Sequence, residues 1–390
     1  MGIKSIKITV FFISLILLFN SEAAFSRDVK VYYKKSSAGG YDFYADNNFN
    51  IDCWVKIEFP AIKNLELSVD LPFSKSLSAN SKKKFLFKAR PVSKRKGYSM
   101  KYSYLSIKGD PSASHDDSYR YLFPYRHGAK FKISQGYKGK ATHYGENKYS
   151  LDFGMKTGTR IVAAREGLVV EVKEDSNIGG PEKKYDKHGN YVLIYHSDGT
   201  FANYVHLKQN GAIVNVNDRV NAGQLIGLSG NTGRSSGPHL HFSVSKPTYS
   251  GKRVTIPVKF LNYNGESVDP EVGRYYYSTH YGKDGYKVIL GDDIRNEQYE
   301  SYFKKIKSTG KVKFRTEVID DTILVFVRNG TNSKISMVAD FKLENLSPSK
   351  GIPVKSVVRP HSEVFVCFLR RIDNKKGYSF STQCQYRKTK

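Results

Sequence analysis

The 390-residue chain has only three cysteines, one tryptophan and four methionines. Three cysteines are too few for the disulfide framework that stabilises many exported proteins. Acidic residues are scarce as well, since 36 Asp and Glu stand against 63 Lys and Arg, and the formal net charge is +27. Such an excess predicts attraction to a polyanion, and nucleic acid, an anionic membrane and a bacterial cell wall all have that character.

Helical periodicity is absent between Arg27 and Ser118, where short alternating segments such as Asp52 to Phe59 are typical of strands. Disorder is excluded because 39% of the residues are hydrophobic and 13% are aromatic. We therefore predict a mainly β protein. A short helix is expected at Asn296 to Lys307, where large apolar residues recur at helical spacing.

A membrane-spanning stretch is also lacking, because the apolar run from Ile8 to Phe19 is shorter than the ~20 residues that a bilayer requires. Lys4 and Lys7 precede this run and small residues follow it. This pattern predicts a secretory signal peptide that is cleaved near Ala23, with an uncleaved membrane anchor as the alternative. An exported chain without a transmembrane anchor, periplasmic or secreted, rarely meets nucleic acid, so we expect no nucleic-acid partner.

The two ends of the chain resemble one another at a constant offset of 280 to 282 residues. Phe85 matches Phe365, and the sequence Lys-Gly-Tyr-Ser occurs at both 96–99 and 376–379. A constant offset favours two related β-sandwich modules that flank a central domain. The predicted segments are a signal peptide at 1–23, an N-terminal β module at 24–118, a central domain at 119–260, a connecting segment at 261–311 and a C-terminal β module at 312–390.

Two features of these modules have open interpretations. Ten basic residues and no acidic one lie between Lys82 and Lys108, interleaved with Tyr98, Tyr102 and Tyr104. This stretch is either a solvated face or a docking patch whose rings stack on sugars. Cys367 and Cys384 flank a predicted hairpin turn and are either a disulfide pair or, like Cys53, small buried hydrophobes.

Histidines in the central domain provide the candidate chemistry. His239 and His241 follow a Gly-rich loop in a strand-like segment, so their side chains project from the same face. Asp152 lies among apolar residues, and a buried carboxylate requires a cation or several donors. His143 precedes it in a turn-rich segment that can fold back over the strand, and His206 lies in another strand-like segment.

Two histidines and one aspartate leave a coordination position open for water, which is typical of a hydrolytic zinc site. A His-Glu-x-x-His motif is missing, so no helix-borne glutamate is available as general base. Histidines that do not bind the metal can accept the proton instead.

Residues 136–244 resemble the catalytic domain of the lysostaphin/LytM-type zinc metallopeptidases, which act on the peptide crosslinks of peptidoglycan. The resemblance rests on a series of ordered motifs: Asp152-Phe153-Gly154, Gly189-Asn190-Tyr191-Val192, Tyr204-Val205-His206-Leu207, Ala222-Gly223-Gln224, and Gly230-Asn231-Thr232-Gly233 through Phe242. It implies an antiparallel β-sheet core around a zinc cleft.

The resemblance also implies a role for each candidate residue. His241 and Asp152 correspond to zinc ligands, and His206 and His239 to the catalytic histidines beside the metal. The family's first ligand lies four residues before the aspartate, where this chain has Lys148, whose ammonium offers no lone pair. We expect His143 to take that place; His127 or a degenerate site are the alternatives.

Two further histidines, His188 and His196, are expected in exposed loops, and the insertion from Glu174 to His188 is a candidate wall of the substrate cleft. The sequence thus favours an exported zinc endopeptidase that hydrolyses peptidoglycan crosslinks. A catalytically degenerate LytM-like regulator or wall-binding protein, and a general secreted metalloprotease, are the alternatives. The oligomeric state is left open.

Overall fold

A computed structural model describes residues 29–373 and 376–389, so the predicted signal peptide lies outside the described residues. The described residues form 32 strands and four short 3-10 helices, η1 to η4, and the strands pair mostly in antiparallel sheets. This confirms the prediction of a mainly β protein. None of the described helices is long and apolar enough to cross a membrane.

The chain divides into two compact units, which are described separately. The first extends to His115 and includes Asp198–Thr200 and Ser245–Val254, and the second comprises Asp116–Ser197, Phe201–Val244 and Thr255–Lys390. The central and C-terminal segments thus belong to one unit. The domain boundaries proposed from the sequence stay predictions.

The N-terminal strands form a sandwich of two sheets, β1-β2-β6-β4 and β5-β3-β7. Phe43 and Phe87 from the first sheet and Val55 and Ile57 from the second are buried in a single core. The strands are β1 (Val29–Lys35), β2 (Tyr41–Asn47), β3 (Cys53–Lys63), β4 (Leu65–Leu67), β5 (Phe73–Leu77), β6 (Lys84–Pro91) and β7 (Ser99–Lys108).

The central segment is built on one large sheet with the strand order β17-β12-β14-β15-β20-β10-β9-β24. Its strands are β8 (Arg120–Tyr121), β9 (Lys130–Gln135), β10 (Ser150–Gly154), β11 (Arg160–Val162), β12 (Gly167–Lys173), β13 (Gly179–Gly180), β14 (Tyr191–Tyr195), β15 (Phe201–Val205), β16 (Leu207–Ala212), β17 (Arg219–Val220), β18 (Leu225–Ser229), β19 (Gly233–Arg234), β20 (His239–Pro247), β21 (Arg253–Ile256), β22 (Lys259–Leu261), β23 (Ser267–Val268) and β24 (Tyr275–Tyr277). The 3-10 helices η1 (Gly145–Asn147) and η2 (Lys183–His188) lie between these strands, and η3 (Gly291–Asp293) and η4 (Asn296–Tyr299) follow them. Phe123, Phe153, Phe242 and Phe260 pack in its core. The strands β10 and β20 are hydrogen-bonded neighbours within this sheet.

The C-terminal strands form a second sandwich, in which the sheets β25-β31-β27-β26 and β30-β28-β32 share one core, with β29 paired to β31. The strands are β25 (Phe303–Lys305), β26 (Val312–Ile319), β27 (Thr322–Asn329), β28 (Lys334–Glu344), β29 (Leu346–Pro348), β30 (Val354–Val358), β31 (Ser362–Arg371) and β32 (Ser379–Thr389).

The two sandwiches share local details as well as strand order. Asn64 has a left-handed φ of 50° and its side chain donates to the carbonyl of Ser93 at 2.9 Å. Asn345 has a φ of 53° and donates to the carbonyl of Asp373 at 2.8 Å. Asparagine tolerates the left-handed region because its short side chain bonds to nearby backbone. The faint sequence repeat therefore corresponds to equivalent turns in the structure.

Three expectations about these segments require correction. The helix expected at Asn296 to Lys307 is only the single turn η4, followed by β25, which pairs with β31. The aromatic residues of this segment pack against a sheet, and extended backbone satisfies its hydrogen bonds there.

The tyrosines of the basic stretch do not stand out into solvent. Tyr98, Tyr102 and Tyr104 pack against the N-terminal core, and the hydroxyls of Tyr102 and Tyr104 donate to the carbonyls of Val31 and Val29. This packing favours the solvated-face interpretation over a patch whose rings stack on sugars.

The three cysteines are free. Cys367 lies in β31 and Cys384 in β32, which belong to different sheets rather than to one hairpin. Cys53 and Cys367 are buried, as expected for small hydrophobes.

Candidate metal and catalytic site

The floor of the site consists of the neighbouring antiparallel strands β10 and β20, where Asp152 lies directly opposite His241. Nδ1 of His241 is 2.9 Å from Oδ1 of Asp152. His239 lies two residues earlier on the same face, while Leu240 and Phe242 are buried in the core on the other face. The alternation predicted from the sequence is thus present, and it places two imidazoles beside one carboxylate.

His143 reaches the same carboxylate from the loop between β9 and β10. Its ring is fully buried, with Nε2 3.2 Å from Oδ1 of Asp152 and Nδ1 2.8 Å from the carbonyl of Gly136. One ligand atom each of His143, Asp152 and His241 lies within 4.8 Å of the other two. These three residues form a group that could hold a metal ion.

The tautomer of His143 provides a test of that fit. Only an N–H can face the Gly136 carbonyl, so Nδ1 carries the proton and Nε2 presents a lone pair. This lone pair faces a carboxylate oxygen that is itself an acceptor. Two acceptors at that distance repel unless a positive charge lies between them. The donor set of two imidazoles and one carboxylate therefore fits a divalent cation.

The alternative first ligands lie elsewhere. Lys148 is exposed, and its ammonium lies over the ring of Tyr149. His127 is bonded through Nε2 to the carbonyl of Asp284 and through Nδ1 to the backbone N–H of His280. The structure thus brings His143, and neither Lys148 nor His127, to Asp152.

His206 lies on the opposite wall at the break between β15 and β16. Its backbone adopts φ +67°, a conformation that is uncommon for a residue with a Cβ and that occurs often at functional sites. The ring is largely buried, and Nδ1 lies 2.6 Å from the carbonyl of Thr232. Its centroid is 4.5 Å from that of His239. His206 is therefore turned towards His239 by its backbone and held there by one carbonyl.

His239 is oriented in the same way. Nδ1 lies 2.8 Å from the carbonyl of Gly237 and 3.1 Å from Oγ of Ser235, while Nε2 is 3.7 Å from Oδ1 of Asp152. Because each Nδ1 of His206 and His239 faces a carbonyl, the proton of each neutral ring sits on Nδ1. Both residues therefore offer the lone pair of Nε2.

Charge and burial set the ionisation of the site. Burial alone would raise the pKa of Asp152, but its contacts with the imidazoles of His143, His241 and His239 outweigh burial and lower that pKa. Burial, together with the neighbouring His239 and His241, lowers the pKa of His206 to about 3. At neutral pH the site therefore holds an anionic carboxylate and a neutral His206.

The insertion from Glu174 to His188 supports the segment that holds His206 and His239. Its strand β13 pairs in parallel with β19, and the N–H of Ser235 donates to the carbonyl of Gly180 at 2.9 Å. Gly233 in β19 has a φ of 76°, and a Cβ there would lie 2.5 Å from Cα of Gly189. Only glycine fits this close approach of two backbones.

The other two histidines of the central segment lie outside the cluster. His188 ends η2 and is half-buried. The expectation of an exposed His196 is wrong, because its ring is fully buried, packs against Tyr121 and bonds through Nδ1 to the carbonyl of Glu166.

Several supporting residues were missed by sequence reasoning. Nε2 of Gln135 donates to Oδ2 of Asp152 at 3.0 Å and to Oγ1 of Thr142 at 2.7 Å. Buried Asn190 donates to the carbonyl of Leu207 at 3.3 Å, and Thr232 donates to the same carbonyl at 2.8 Å. The Gly-Asn and Asn-Thr-Gly motifs signalled the last two positions, whereas nothing in the sequence singled out Gln135.

The central segment resembles a known protein family in sequence. Residues 146–270 match the model of Peptidase family M23. The matched range includes Asp152, His206, His239 and His241, and it begins just after His143.

Two of the relatives are endopeptidases by name. Glycyl-glycine endopeptidase ALE-1 of Staphylococcus capitis is 36% identical over 142 residues, which cover 35% of this chain and 36% of that protein. Peptidoglycan DD-endopeptidase ShyA of Vibrio cholerae is 31% identical over 147 residues, which cover 36% of this chain and 31% of that protein. The chain thus spans about a third of the length of these relatives.

Among solved structures, the catalytic domain of lysostaphin from Staphylococcus simulans has 32% sequence identity to this chain. The match covers 30% of this chain and 78% of that structure's chain, with a TM-score of 0.22.

Proposed function

From the peptidase family M23 domain at residues 146–270, we propose that the chain is an exported zinc metalloendopeptidase that hydrolyses peptide crosslinks of bacterial peptidoglycan. The observation that carries this proposal is the convergence of His143, Asp152 and His241 on one point beside His206 and His239. The names of two relatives, glycyl-glycine endopeptidase and peptidoglycan DD-endopeptidase, support a peptide bond as the target.

Zinc is the metal that the donor set favours. Nε2 of His143, Oδ1 of Asp152 and Nδ1 of His241 would hold it, and three protein ligands of this kind are typical of catalytic zinc. When bound, zinc supplies Lewis-acid chemistry, polarising a carbonyl and making water more acidic.

His206 and His239 perform the proton transfer in this proposal. Both offer Nε2 to the space beside the metal ligands, and neither is needed as a ligand. A neutral imidazole that accepts the proton of the attacking water becomes a cation, and that same imidazolium then stabilises the developing oxyanion and can pass the proton to the leaving amine. The carbonyls of Thr232 and Gly237 hold the two rings in the required tautomer and orientation.

The location and partner follow from sequence features outside the site. The pattern at residues 1–23 supports export to the periplasm or the medium. The net charge of +27 supports approach to an anionic cell-wall polymer.

Two alternatives lead to different outcomes. A degenerate regulator would lack ligand residues, and the replacement of the family's first histidine by Lys148 is the feature that favours it. The buried His143 beside Asp152 argues against it. A general secreted metalloprotease would cut unfolded proteins such as casein as readily as peptidoglycan.

The test uses the purified chain on intact sacculi, with release of soluble muropeptides as the readout. We expect release by the wild type, loss on addition of a chelator, and loss in His241→Ala and His143→Ala together with loss of bound zinc. His188→Ala, outside the cluster, is the matched control and should keep both activity and metal. Unchanged release by His241→Ala would overturn the proposal.

A further inference from the structure

The outer faces of the two sandwiches correspond strand by strand. In the N-terminal sandwich, the pairing of β2 with β6 contains a bulge after Phe43. In the C-terminal sandwich, the pairing of β27 with β31 contains a bulge at the equivalent place, after Val325. Tyr44 then lies opposite Phe85, as Phe326 lies opposite Phe365. These two aromatic pairs occupy equivalent positions.

In the C-terminal module this face is covered by the chain itself. The rings of Tyr299 and Tyr302 pack on Phe326, at centroid distances of 6.3 and 4.9 Å, and Tyr299 lies 5.0 Å from Phe365. Phe326 is only 1% exposed and Phe365 6%. Ile294 completes the cluster. The outer face of this module is therefore a docking surface with a visible occupant.

The occupant is residues 291–305, which form the two short 3-10 helices η3 and η4 followed by the strand β25. Besides packing its aromatic rings on the sheet, this segment contributes the strand β25, which pairs with β31 at Ser362–Val364. Arg370 donates through Nη2 to the carbonyls of Asp292 and Ile294. Residues 291–305 carry four acidic and three basic side chains; the acidic ones all precede β25, and Lys304 and Lys305 lie in it. Strand addition, aromatic packing and an arginine clamp together hold the segment.

In the N-terminal module no segment of the described part of the chain covers the equivalent face. Tyr32, Tyr44 and Phe85 form a row across three strands, with ring centroids 5.9 and 5.8 Å apart. Phe85 is 41% exposed, in contrast to its counterpart Phe365. Lys30 and Lys34 lie over the rings of Tyr32 and Tyr44. We call this surface the N-terminal aromatic face.

The edge that β25 occupies in the C-terminal module also has an open counterpart. β4 pairs with β6 only at Ala89–Pro91, and no described strand pairs with that edge of β6 at Lys84. Lys84 and Lys88 are exposed there. An unpaired strand edge beside exposed rings is suited to adding an extended peptide.

The charge of the face indicates the chemistry of the occupant. The carboxylates on the face are already engaged, since Asp42 pairs with Arg90 and Asp46 accepts hydrogen bonds from Tyr32 and the N–H of Lys83. The lysines around the rings therefore give the face a positive charge, and an acidic ligand would complement that charge.

We propose that the N-terminal aromatic face binds an acidic, tyrosine-bearing extended segment of a partner protein. The segment adds a strand to β6 at Lys84 and packs its rings on Tyr44 and Phe85, as residues 291–305 do in the C-terminal module. This role is independent of the peptidase activity.

The test measures binding of a fluorescent peptide to the full chain, by fluorescence anisotropy. The peptide has the sequence of residues 291–305 with Lys304→Glu and Lys305→Glu, because the native lysines would lie opposite Lys83 and Lys82 in the equivalent register. The variants are Tyr44→Ala/Phe85→Ala, which removes the rings, and Lys84→Glu/Lys88→Glu, which reverses two exposed charges. The control is Lys63→Glu/Lys101→Glu, the same charge change at exposed positions on the other sheet of the module. Circular dichroism of each variant reports folding.

We expect saturable binding to the wild type and to the control, and at least about tenfold weaker binding to each face variant. Absence of binding to the wild type, or equal binding to all variants, would overturn the proposal. A second probe, soluble uncrosslinked glycan strands, separates the other class of partner. Glycan binding that depends on Tyr44 and Phe85, without peptide binding, would also overturn it.

Discussion

A backbone carbonyl orients each of the two proposed catalytic imidazoles, and it orients the metal-binding imidazole of His143, which lies in a loop. His143, His206 and His239 place Nδ1 within 2.8 Å of a carbonyl, those of Gly136, Thr232 and Gly237. A carbonyl accepts but cannot donate, so it fixes the tautomer and leaves Nε2 for chemistry. The geometry of the site is therefore set by loops as much as by β10 and β20.

Gln135 provides a test of this arrangement at the residue scale. Its amide is the donor to the Asp152 oxygen that does not face the histidines, so Gln135→Leu should weaken metal binding about 10- to 100-fold by releasing that carboxylate. Zinc affinity is measured by competition with a chromogenic chelator.

The matched control is Gln209→Leu, whose amide bonds to the carbonyl of Asp175 outside the cluster. Equal zinc affinity of Gln135→Leu and wild type would show that this hydrogen bond does not position the carboxylate.

The candidate residues could be named from the sequence because strand alternation and short motifs are local properties. His239 and His241 share a face through a spacing of two, and that spacing is visible in the sequence. Gln135 and the buried His196 could not be assigned, because their partners are contributed by segments distant in the chain. Burial of a polar side chain depends on those tertiary partners.

At the scale of elements, the C-terminal sandwich contains a buried carboxylate. Glu363 in β31 is fully buried, and its oxygens accept hydrogen bonds from Arg315 at 3.0 and 2.9 Å, from Tyr302 at 2.7 Å, and from Arg328. Burial alone would raise the pKa of Glu363, but these donors outweigh it and lower the pKa to about 2. The covering segment is thus tied to the sheet by Tyr302.

This network predicts a pH-dependent stability. A carboxyl whose pKa is lower in the folded state stabilises the protein above its unfolded pKa of about 4.5, and this stabilisation is lost as the pH falls through about 2. Glu363→Gln should lower the free energy of unfolding at neutral pH by roughly 3 kcal/mol and flatten the acid dependence.

Thermal unfolding followed by circular dichroism between neutral and acid pH gives the comparison. Glu317→Gln is the control, since its carboxylate is half exposed beside Arg315 and its loss should cost less than about 1 kcal/mol. The same acid dependence in Glu363→Gln and wild type would contradict the assignment.

The mainly β class, the strand-rich modules and their repeat followed from alternation and turn residues. The helix expected at 296–307 is absent from the structure. Apolar residues spaced three and four positions apart are also compatible with one helical turn followed by a strand. Tertiary packing of Tyr299 and Tyr302 against Phe326 decides between these outcomes. No local signal in the segment contains that information.

For the whole molecule, the net charge of +27 is spread over modules as well as the central segment. Residues 29–115 alone contain 16 basic and 7 acidic side chains. Long-range attraction of this kind acts on a polymeric anion and is screened by salt, with a Debye length of about 8 Å at physiological ionic strength.

We therefore predict that added salt slows solubilisation of intact sacculi much more than hydrolysis of a small soluble crosslinked peptide. The reason is that only the polymer presents enough charge for the basic surface to attract. Initial rates on both substrates are measured over a series of salt concentrations with zinc held constant. Equal inhibition on the two substrates would assign the effect to the active site instead of the surface.

The proposed active site, formed by His143, Asp152, His206, His239 and His241, is tested most directly by its products. They are identified by mass spectrometry after the zinc-loaded chain is incubated with a purified crosslinked muropeptide dimer. We expect two monomers whose summed mass exceeds that of the dimer by one water, and no such products from His206→Ala or His239→Ala, which retain the metal ligands. An intact dimer after incubation with the zinc-loaded wild type, or cleavage by both variants at the wild-type rate, would contradict this assignment.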